Sequence, residues 1–253
     1  MPAPERLSQL TVLDRATALD VLRDGELEVT ARLIASSNNA LYGTVTRHCP
    51  DPEPDLIVAC VYKPIAGERP LDDFPDETLS RREVAAHAVS EASGWDIVPP
   101  TVLRDGPFGD GMVQLWIETD ESADPWQLVQ RADPTLRPMA VFDAVVNNAD
   151  RKVGHILPLE GHLFGVDHGI CFAREPKLRT VLWGWRGRPL ANDEIEVLER
   201  LRTQLRGELG ATLRGLISSL EVKATIARTE ALLRTRRFPL PDPDRPAIPW
   251  PPF

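Results

Sequence analysis

Apolar and polar residues alternate along much of the first half of the chain, which is the pattern of half-buried β-strands. Leu27–Ala35 and Leu41–Arg47 show this alternation on either side of a polar loop and predict a β-hairpin. The continuous apolar run Leu56–Tyr62 predicts a buried strand that ends at Lys63, and Met112–Ile117 predicts a second central strand. The first half therefore predicts an antiparallel sheet.

A helical spacing of apolar residues marks one segment beside this sheet and most of the second half. Leu79–Ser93 has that spacing, with Ser80 as a plausible N-cap and Glu83 three residues later. Other helices are predicted over Thr17–Glu28, Leu136–Asn148, Asp193–Leu209, Ala211–Leu220 and Val222–Arg236. His162–Val166 predicts a short strand that runs directly into Asp167. A sheet followed by a mainly helical half indicates an α+β fold.

Composition and charge narrow the class of protein. The 253 residues suffice for one large or two-lobed domain, and the 42% hydrophobic and 26% charged residues are typical of folded proteins. A net charge of -9 disfavours nucleic acid as a partner. The three cysteines form no CxxC pair and no apolar run is long enough for stable membrane insertion, so we expect a cytoplasmic protein.

The Pro-rich tail 238–253 is expected to be extended or loosely packed, and it is a candidate binding segment for a protein partner.

The chain offers candidate residues for each of the groups that phosphoryl transfer requires. That chemistry needs groups that hold phosphates, divalent ions, and a carboxylate near the attacking hydroxyl. Lys63 could contact nucleotide phosphates, and Glu83 on the following helix could hold its ammonium group in place. Asp150 follows a predicted buried helix, His155 lies five residues later, and Asp167 ends the next strand. The residues alone therefore predict a site for a metal-bound phosphate.

Each of these candidates has an alternative structural role. Glu83 could equally complete a capping box with Ser80. Lys63 could be a solvated residue at the end of its strand, and a single Asp in a loop is usually a turn or cap residue. His168 is expected to be structural. The joint order of the two aspartates and the histidine in the second half favours the phosphoryl-transfer site.

Two segments of the second half resemble the catalytic and metal-binding loops of the phosphatidylinositol 3- and 4-kinase superfamily. These are Asn148–Leu157 and Gly165–Phe172, which are most similar to the type II phosphatidylinositol 4-kinases and more distantly similar to HipA-like serine kinases. Supporting similarity to the type II enzymes is found in Val98–Thr101, Gly111–Glu118 and Leu182–Trp185. The resemblance covers about Leu33–Pro189, and the whole chain is similar to an actinobacterial family of kinase-like proteins.

The resemblance implies a fold and a set of site residues. The fold is a two-lobed kinase-like fold: an antiparallel-sheet N-lobe over residues 1–118 with a hinge at its end, and a mainly helical C-lobe over residues 119–237 before the tail. Asp150 would orient or deprotonate the acceptor hydroxyl, Asp167 would be the principal metal ligand, and His155 would stand where the family has a second ligand, normally Asn. Lys63 would contact the phosphates, with Glu83 as its partner. The phosphates would be covered by Ser36, Ser37, Asn38 and Asn39, and the adenine site would be lined by Gln114, Leu115, Trp116 and Ile117.

These features predict an ATP-dependent kinase that uses Mg²⁺ or Mn²⁺ and acts on a protein Ser or Thr hydroxyl, its own included. Two alternatives stay open. His155 in place of Asn favours a nucleotide-binding pseudokinase that serves as a scaffold, because imidazole suits manganese or zinc better than magnesium. The resemblance to the type II enzymes favours a phosphatidylinositol kinase.

Overall fold

The computed structural model describes residues 13–33, 39–120 and 123–253. The chain divides into two compact units. The first consists of Met1–Val84 and Pro99–Thr119, and the second of Ala85–Val98 and Asp120–Phe253. The lobe boundaries predicted above, 1–118, 119–237 and 238–253, stay a prediction.

The first unit is built on an antiparallel sheet. Within the described residues its strands are β1 (Glu26–Arg32), β2 (Leu41–Arg47), β3 (Leu56–Pro64), β4 (Thr101–Arg104) and β5 (Gly111–Leu115), in the order β1-β2-β3-β5-β4. Strands β1 and β2 pair as the predicted hairpin, which is therefore confirmed. Strand β3 has a partner on each side, β2 and β5, and its consecutive residues Val58, Ala59 and Cys60 are all buried. Both faces of this part of the strand are therefore covered, which explains its continuous apolar sequence.

A helix, α1 (Arg15–Asp24), packs on this sheet. It ends at Asp24 with Gly25 as its C-cap, so the predicted helix Thr17–Glu28 extends too far: Glu26 already begins strand β1. The guanidinium of Arg104 donates to the carbonyl oxygens of Leu22 and Gly25 at 2.9 and 2.7 Å. One side chain of an edge strand therefore satisfies carbonyl groups that the end of a helix leaves free.

Helix α2 (Leu79–Ser93) begins in the first unit and its residues from Ala85 belong to the second. The carboxylate of Glu68 accepts hydrogen bonds from the backbone N–H groups of Leu79 and Ser80 at 3.0 and 2.7 Å. Ser80 instead donates its hydroxyl to the carbonyl oxygen of Lys63. The predicted N-cap role of Ser80 is wrong, because a carboxylate from a distant loop binds the start of the helix.

The second unit is mainly helical. Its further helices are α3 (Pro125–Gln130), α4 (Arg137–Val146), α5 (Asn192–Arg206), α6 (Glu208–Arg214) and α7 (Ser219–Thr235), and a hairpin joins β6 (Ile156–Leu159) to β7 (His162–Gly165). Met139, Phe142, Leu198 and Leu201 belong to its buried core. Through the parts of the chain that the structure describes, no helix combines the length and the apolar character needed to cross a bilayer.

The Pro-rich tail forms no helix or strand, yet it is attached to the second unit. Ala247 accepts hydrogen bonds from the backbone N–H of Thr180 and from the indole N–H of Trp183, at 3.0 and 2.8 Å. Pro252 accepts one from the backbone N–H of Val153 at 2.8 Å. The tail is therefore held at several points along its length.

Substitution of Gly43 should weaken the sheet. Gly43 pairs with Val29 across the β1–β2 hairpin, and a Cβ atom there would collide with the carbonyl oxygen of Glu28. We expect Gly43→Ala to lower the free energy of unfolding by about 1–3 kcal/mol, since the backbone must shift to accept a methyl group. Urea denaturation measures this loss. Thr44→Ala, at the neighbouring half-buried position, should cost below about 1 kcal/mol, and an equal cost for both variants would contradict the close-contact argument.

Candidate active site

The first candidate loop begins where helix α4 ends. Asn147 adopts a left-handed conformation with φ 54°, which Asn tolerates better than most residues. Its side-chain amide donates to the carbonyl oxygens of Ala173 and Glu175, and its side-chain oxygen accepts from the N–H of Lys177. Asn147 therefore turns the chain out of the helix and fixes the direction in which the loop leaves.

Asp150 lies in this loop, half-buried. Its backbone N–H donates to the side-chain oxygen of Asn148 at 2.9 Å, and the carbonyl oxygen of Ala149 accepts from Arg179 Nε at 2.8 Å. Asp150 Oδ2 lies 3.1 Å from Lys152 Nζ. The loop thus holds a carboxylate in partial contact with solvent, with a positive charge beside it.

The β6–β7 hairpin brings the second and third candidates together. His155 comes directly before β6 and Asp167 follows β7 by two residues, and antiparallel pairing places these two ends side by side. The N–H of Val166 donates to the carbonyl oxygen of His155 at 3.1 Å. Asp167 itself has φ 63°, a left-handed conformation that carries some backbone strain in a residue other than Gly.

Asp150, His155 and Asp167 converge on one point. One ligand atom from each lies within 4.8 Å of the others, and His155 Nε2 is 3.4 Å from Asp167 Oδ2. Two ligands on opposite sides of a cation bound at 2.0–2.2 Å are about 4.2 Å apart, so small side-chain rotations would allow all three to bind one ion. Two carboxylates and an imidazole fit Mn²⁺ well and Mg²⁺ less well.

The surroundings of His155 favour a neutral imidazole. Burial lowers the pKa of His155, an effect that outweighs the opposing influence of the Asp167 carboxylate. The neutral ring is the form that binds a metal ion. Its Nδ1 atom is buried and has no hydrogen-bond partner among the described residues, and Nε2 is the ring nitrogen that lies near Asp167.

Lys63 and Glu83 form an ion pair in the first unit. Lys63 Nζ lies 2.7 Å from Glu83 Oε1, and the two side chains are 14% and 1% exposed. The pairing expected between the strand-end lysine and the helix glutamate is present, and the capping box with Ser80 does not form, since Ser80 lies inside the helix. Glu83 thus holds a nearly buried ammonium group at the end of β3.

The remaining predicted residues have less distinctive positions. Ser36, Ser37 and Asn38 lie outside the described residues, and Asn39 packs against Gly67. The side-chain amide of Gln114 donates to the hydroxyl of Thr101 inside the sheet. The remaining predicted adenine-lining residues are buried or half-buried, namely Leu115, Trp116 and Ile117. Their roles toward a nucleotide stay predictions.

Sequence reasoning missed two charged residues that hold the loops. Arg151 and Asp143 are fully buried and form an ion pair at 2.9 Å. An aspartate inside the apolar sequence of α4 was the available signal, because a buried carboxylate requires a partner. Lys152 was also missed, although it lies two residues after Asp150. His168, expected to be structural, is fully buried.

The fold is similar to solved kinase structures. The Golgi casein kinase matches with a TM-score of 0.55 and 14% identity, covering 87% of this chain and 73% of that chain, and has also been solved with Mn/ADP bound. Hydra Fam20, solved with sugar, matches with a TM-score of 0.55 and 12% identity over 87% of each chain. The Helicobacter pylori proinflammatory kinase CtkA matches with a TM-score of 0.50 and 10% identity, covering 86% and 94%. The chain therefore has a kinase-like fold, as predicted.

Sequence comparison places the chain in a family. Protein Rv2133c of Mycobacterium tuberculosis is 40% identical over 269 aligned positions, which cover 92% of this chain and 94% of that protein. The chain belongs to the same family as this mycobacterial protein. No family model matches the chain. The predicted closeness to type II phosphatidylinositol 4-kinases stays a prediction, since none of the three similar structures is named as a phosphatidylinositol kinase.

The Lys63–Glu83 pair should show strong energetic coupling. Lys63→Met leaves a carboxylate in a buried position without the ammonium group, and we expect a loss of about 3–5 kcal/mol in the free energy of unfolding. The double variant Lys63→Met with Glu83→Leu should be more stable than this single variant. A double-mutant cycle followed by thermal and urea unfolding measures the coupling.

The exposed pair Asp20–Arg23 in the same unit is the matched control, with both side chains 53% exposed. Its coupling should be below about 1 kcal/mol. Equal coupling energies for the two pairs would show that the buried ion pair has no special role in the stability of the first unit.

Proposed function

We propose that this chain is an ATP-dependent phosphotransferase that transfers a phosphoryl group to a protein Ser or Thr hydroxyl. The observation that carries the proposal is the convergence of ligand atoms from Asp150, His155 and Asp167 within 4.8 Å in a protein with a kinase-like fold. Phosphoryl transfer depends mainly on positioning and on electrostatic stabilisation, and these loops supply two candidate metal ligands, Asp167 and His155, beside a candidate base, Asp150.

Asp167 and His155 are the proposed ligands for a divalent cation. When bound, such a cation neutralises charge that develops on the transferring phosphoryl group. The Golgi casein kinase solved with Mn/ADP supports the use of a divalent metal with a nucleotide by a protein of this fold. An imidazole in the ligand set favours Mn²⁺ over Mg²⁺.

Asp150 is the proposed group that orients or deprotonates the acceptor hydroxyl. Its half-buried carboxylate can accept a hydrogen bond from a hydroxyl group. Lys152, 3.1 Å from that carboxylate, adds a positive charge that favours an anionic phosphoryl group nearby. The proposal thus assigns the two residues complementary roles toward acceptor and phosphate.

Residues of the first unit are proposed to hold the nucleotide. Lys63, kept in place by Glu83, would contact the phosphates of ATP. The segment Ser36–Asn39 would cover the phosphates, and Gln114–Ile117 would line the adenine site, as the resemblance to the phosphatidylinositol kinases implies.

A protein hydroxyl, the chain's own included, is the preferred acceptor. The chain is acidic, with a net charge of -9, so an anionic lipid surface would not attract it. A phosphatidylinositol kinase is the alternative that the sequence resemblance favours. A second candidate function, a nucleotide-binding pseudokinase scaffold, is favoured by His155 at the position where the kinase family normally has Asn.

Labelled ATP tests the proposed reaction. Incubation of the protein with γ-labelled ATP and Mn²⁺ should label the protein itself or an added protein, and Asp150→Asn and Asp167→Asn should each reduce labelling at least about a hundredfold. Asp193→Asn, at an exposed position on helix α5, is the matched control and should leave labelling unchanged. Label in phosphatidylinositol instead of protein would identify the lipid kinase. ATP-dependent thermal stabilisation without any labelling would identify the pseudokinase.

Replacement of His155 should change the metal preference. His155→Asn substitutes an amide oxygen for the imidazole nitrogen, and oxygen ligands suit Mg²⁺. We expect the ratio of Mg²⁺-supported to Mn²⁺-supported ATP turnover to rise by about tenfold, a typical size for changes around a metal site. Initial rates over a concentration series of each metal give this ratio. An unchanged ratio would show that His155 is not a ligand.

A further inference from the structure

A single buried side chain binds both loops of the candidate site. The guanidinium of Arg151 donates from Nη1 to the carbonyl oxygens of His155 and Val166 at 3.3 and 3.2 Å. From Nη2 it contacts Nε2 of His168 at 2.6 Å, which must act as the acceptor because arginine has only donors. Arg151 therefore connects its own loop to the start of β6 and to the segment after β7.

These contacts enclose Asp167. Val166 and His168 are the residues directly before and after it, and both are bound by the same guanidinium. Asp167 between them has φ 63°, a left-handed conformation that Asp adopts more readily than most other residues. Because the guanidinium binds the residue on each side, the direction of the Asp167 carboxylate depends on Arg151.

Asp143 on helix α4 anchors the guanidinium. Its carboxylate accepts from Arg151 Nε at 3.1 Å and from Nη2 at 2.9 Å, and both side chains are fully buried. All five N–H groups of Arg151 thus have an acceptor: two for Asp143, one for each of the two carbonyl oxygens, and one for His168. A lysine has three donors on one atom and cannot reproduce this planar arrangement.

We propose that Arg151 is the positioning residue of the metal site: its guanidinium sets the separation and direction of His155 and Asp167, so that they bind a divalent cation together. This inference rests on the proposed function, because it requires these residues to be metal ligands. Arg151 acts through its neighbours and is fully buried, at no point in contact with solvent. It differs in this from Asp150, which precedes it in the chain and is partly exposed.

Mn²⁺ alone is a sufficient probe. The free-ion electron paramagnetic resonance signal, followed during a Mn²⁺ titration of the full chain without nucleotide, gives the dissociation constant. We expect Arg151→Lys to weaken Mn²⁺ binding by about 10–100-fold, the usual effect of removing a group that orients metal ligands. Gly165→Ala should weaken it in the same direction, since a Cβ atom there would lie 3.0 Å from both terminal nitrogens of Arg151. This milder variant decides the question if Arg151→Lys does not fold.

Arg228→Lys is the matched control. Arg228 is a half-buried arginine of the second unit that also donates to two backbone carbonyl oxygens, those of Val145 and Ala173. The Arg228→Lys substitution should lower the melting temperature and leave the Mn²⁺ dissociation constant within about twofold of that of the unmodified protein.

Each other outcome overturns the inference. If the Arg151→Lys variant folds and its Mn²⁺ affinity is unchanged, the guanidinium does not position the ligands. That result would leave the proposed function intact. Equal weakening by Arg228→Lys shows a general loosening of the unit. Absence of Mn²⁺ binding by the unmodified protein contradicts the metal site itself, and with it both the proposed function and this inference.

Discussion

The buried ion pair between Arg151 and Asp143 organises the candidate site. Removing two charges from water is costly, and the cost is offset only where every donor and acceptor finds a partner. Here the five guanidinium N–H groups are all directed at acceptors, and three of these acceptors belong to the hairpin ends that carry His155 and Asp167. A fully satisfied network of this kind is rigid, so it fixes the positions of the segments that carry His155 and Asp167.

The two units hold their charged residues in different ways. In the first unit Glu83 is almost fully buried and holds Lys63, whose side chain is also nearly buried. In the second unit the candidate site residues Asp150, His155 and Asp167 are all partly exposed, and the fully buried pair Arg151–Asp143 contacts the segments that carry them. This arrangement keeps the chemical groups accessible while the residues that orient them are protected from water.

The fold of this protein does not by itself define its function. Structural similarity to solved kinases, with TM-scores of 0.50–0.55 at only 10–14% identity, shows a kinase-like fold, and one fold supports many activities. Phosphoryl transfer is therefore proposed from the geometry of three side chains, those of Asp150, His155 and Asp167. The relationship to the mycobacterial protein extends over nearly the full length of both chains, so both units belong to the family's common architecture.

The sequence by itself predicted strands β1, β2, β3, β5 and β7, most of the helices and the order of the site residues, because hydrophobic periodicity and the spacing of loops are local properties. It did not predict β6, whose four residues include Pro158, a residue that is unfavourable inside a strand. The short helix α3 was not predicted, because six residues are too few to show a helical period. Only the tertiary structure decided that Glu83 pairs with Lys63 and that Glu68, 11 residues before Leu79, binds the start of helix α2. It alone showed that Arg151 joins the loops. These contacts depend on which residues lie close together in the folded protein, and local sequence patterns do not predict them.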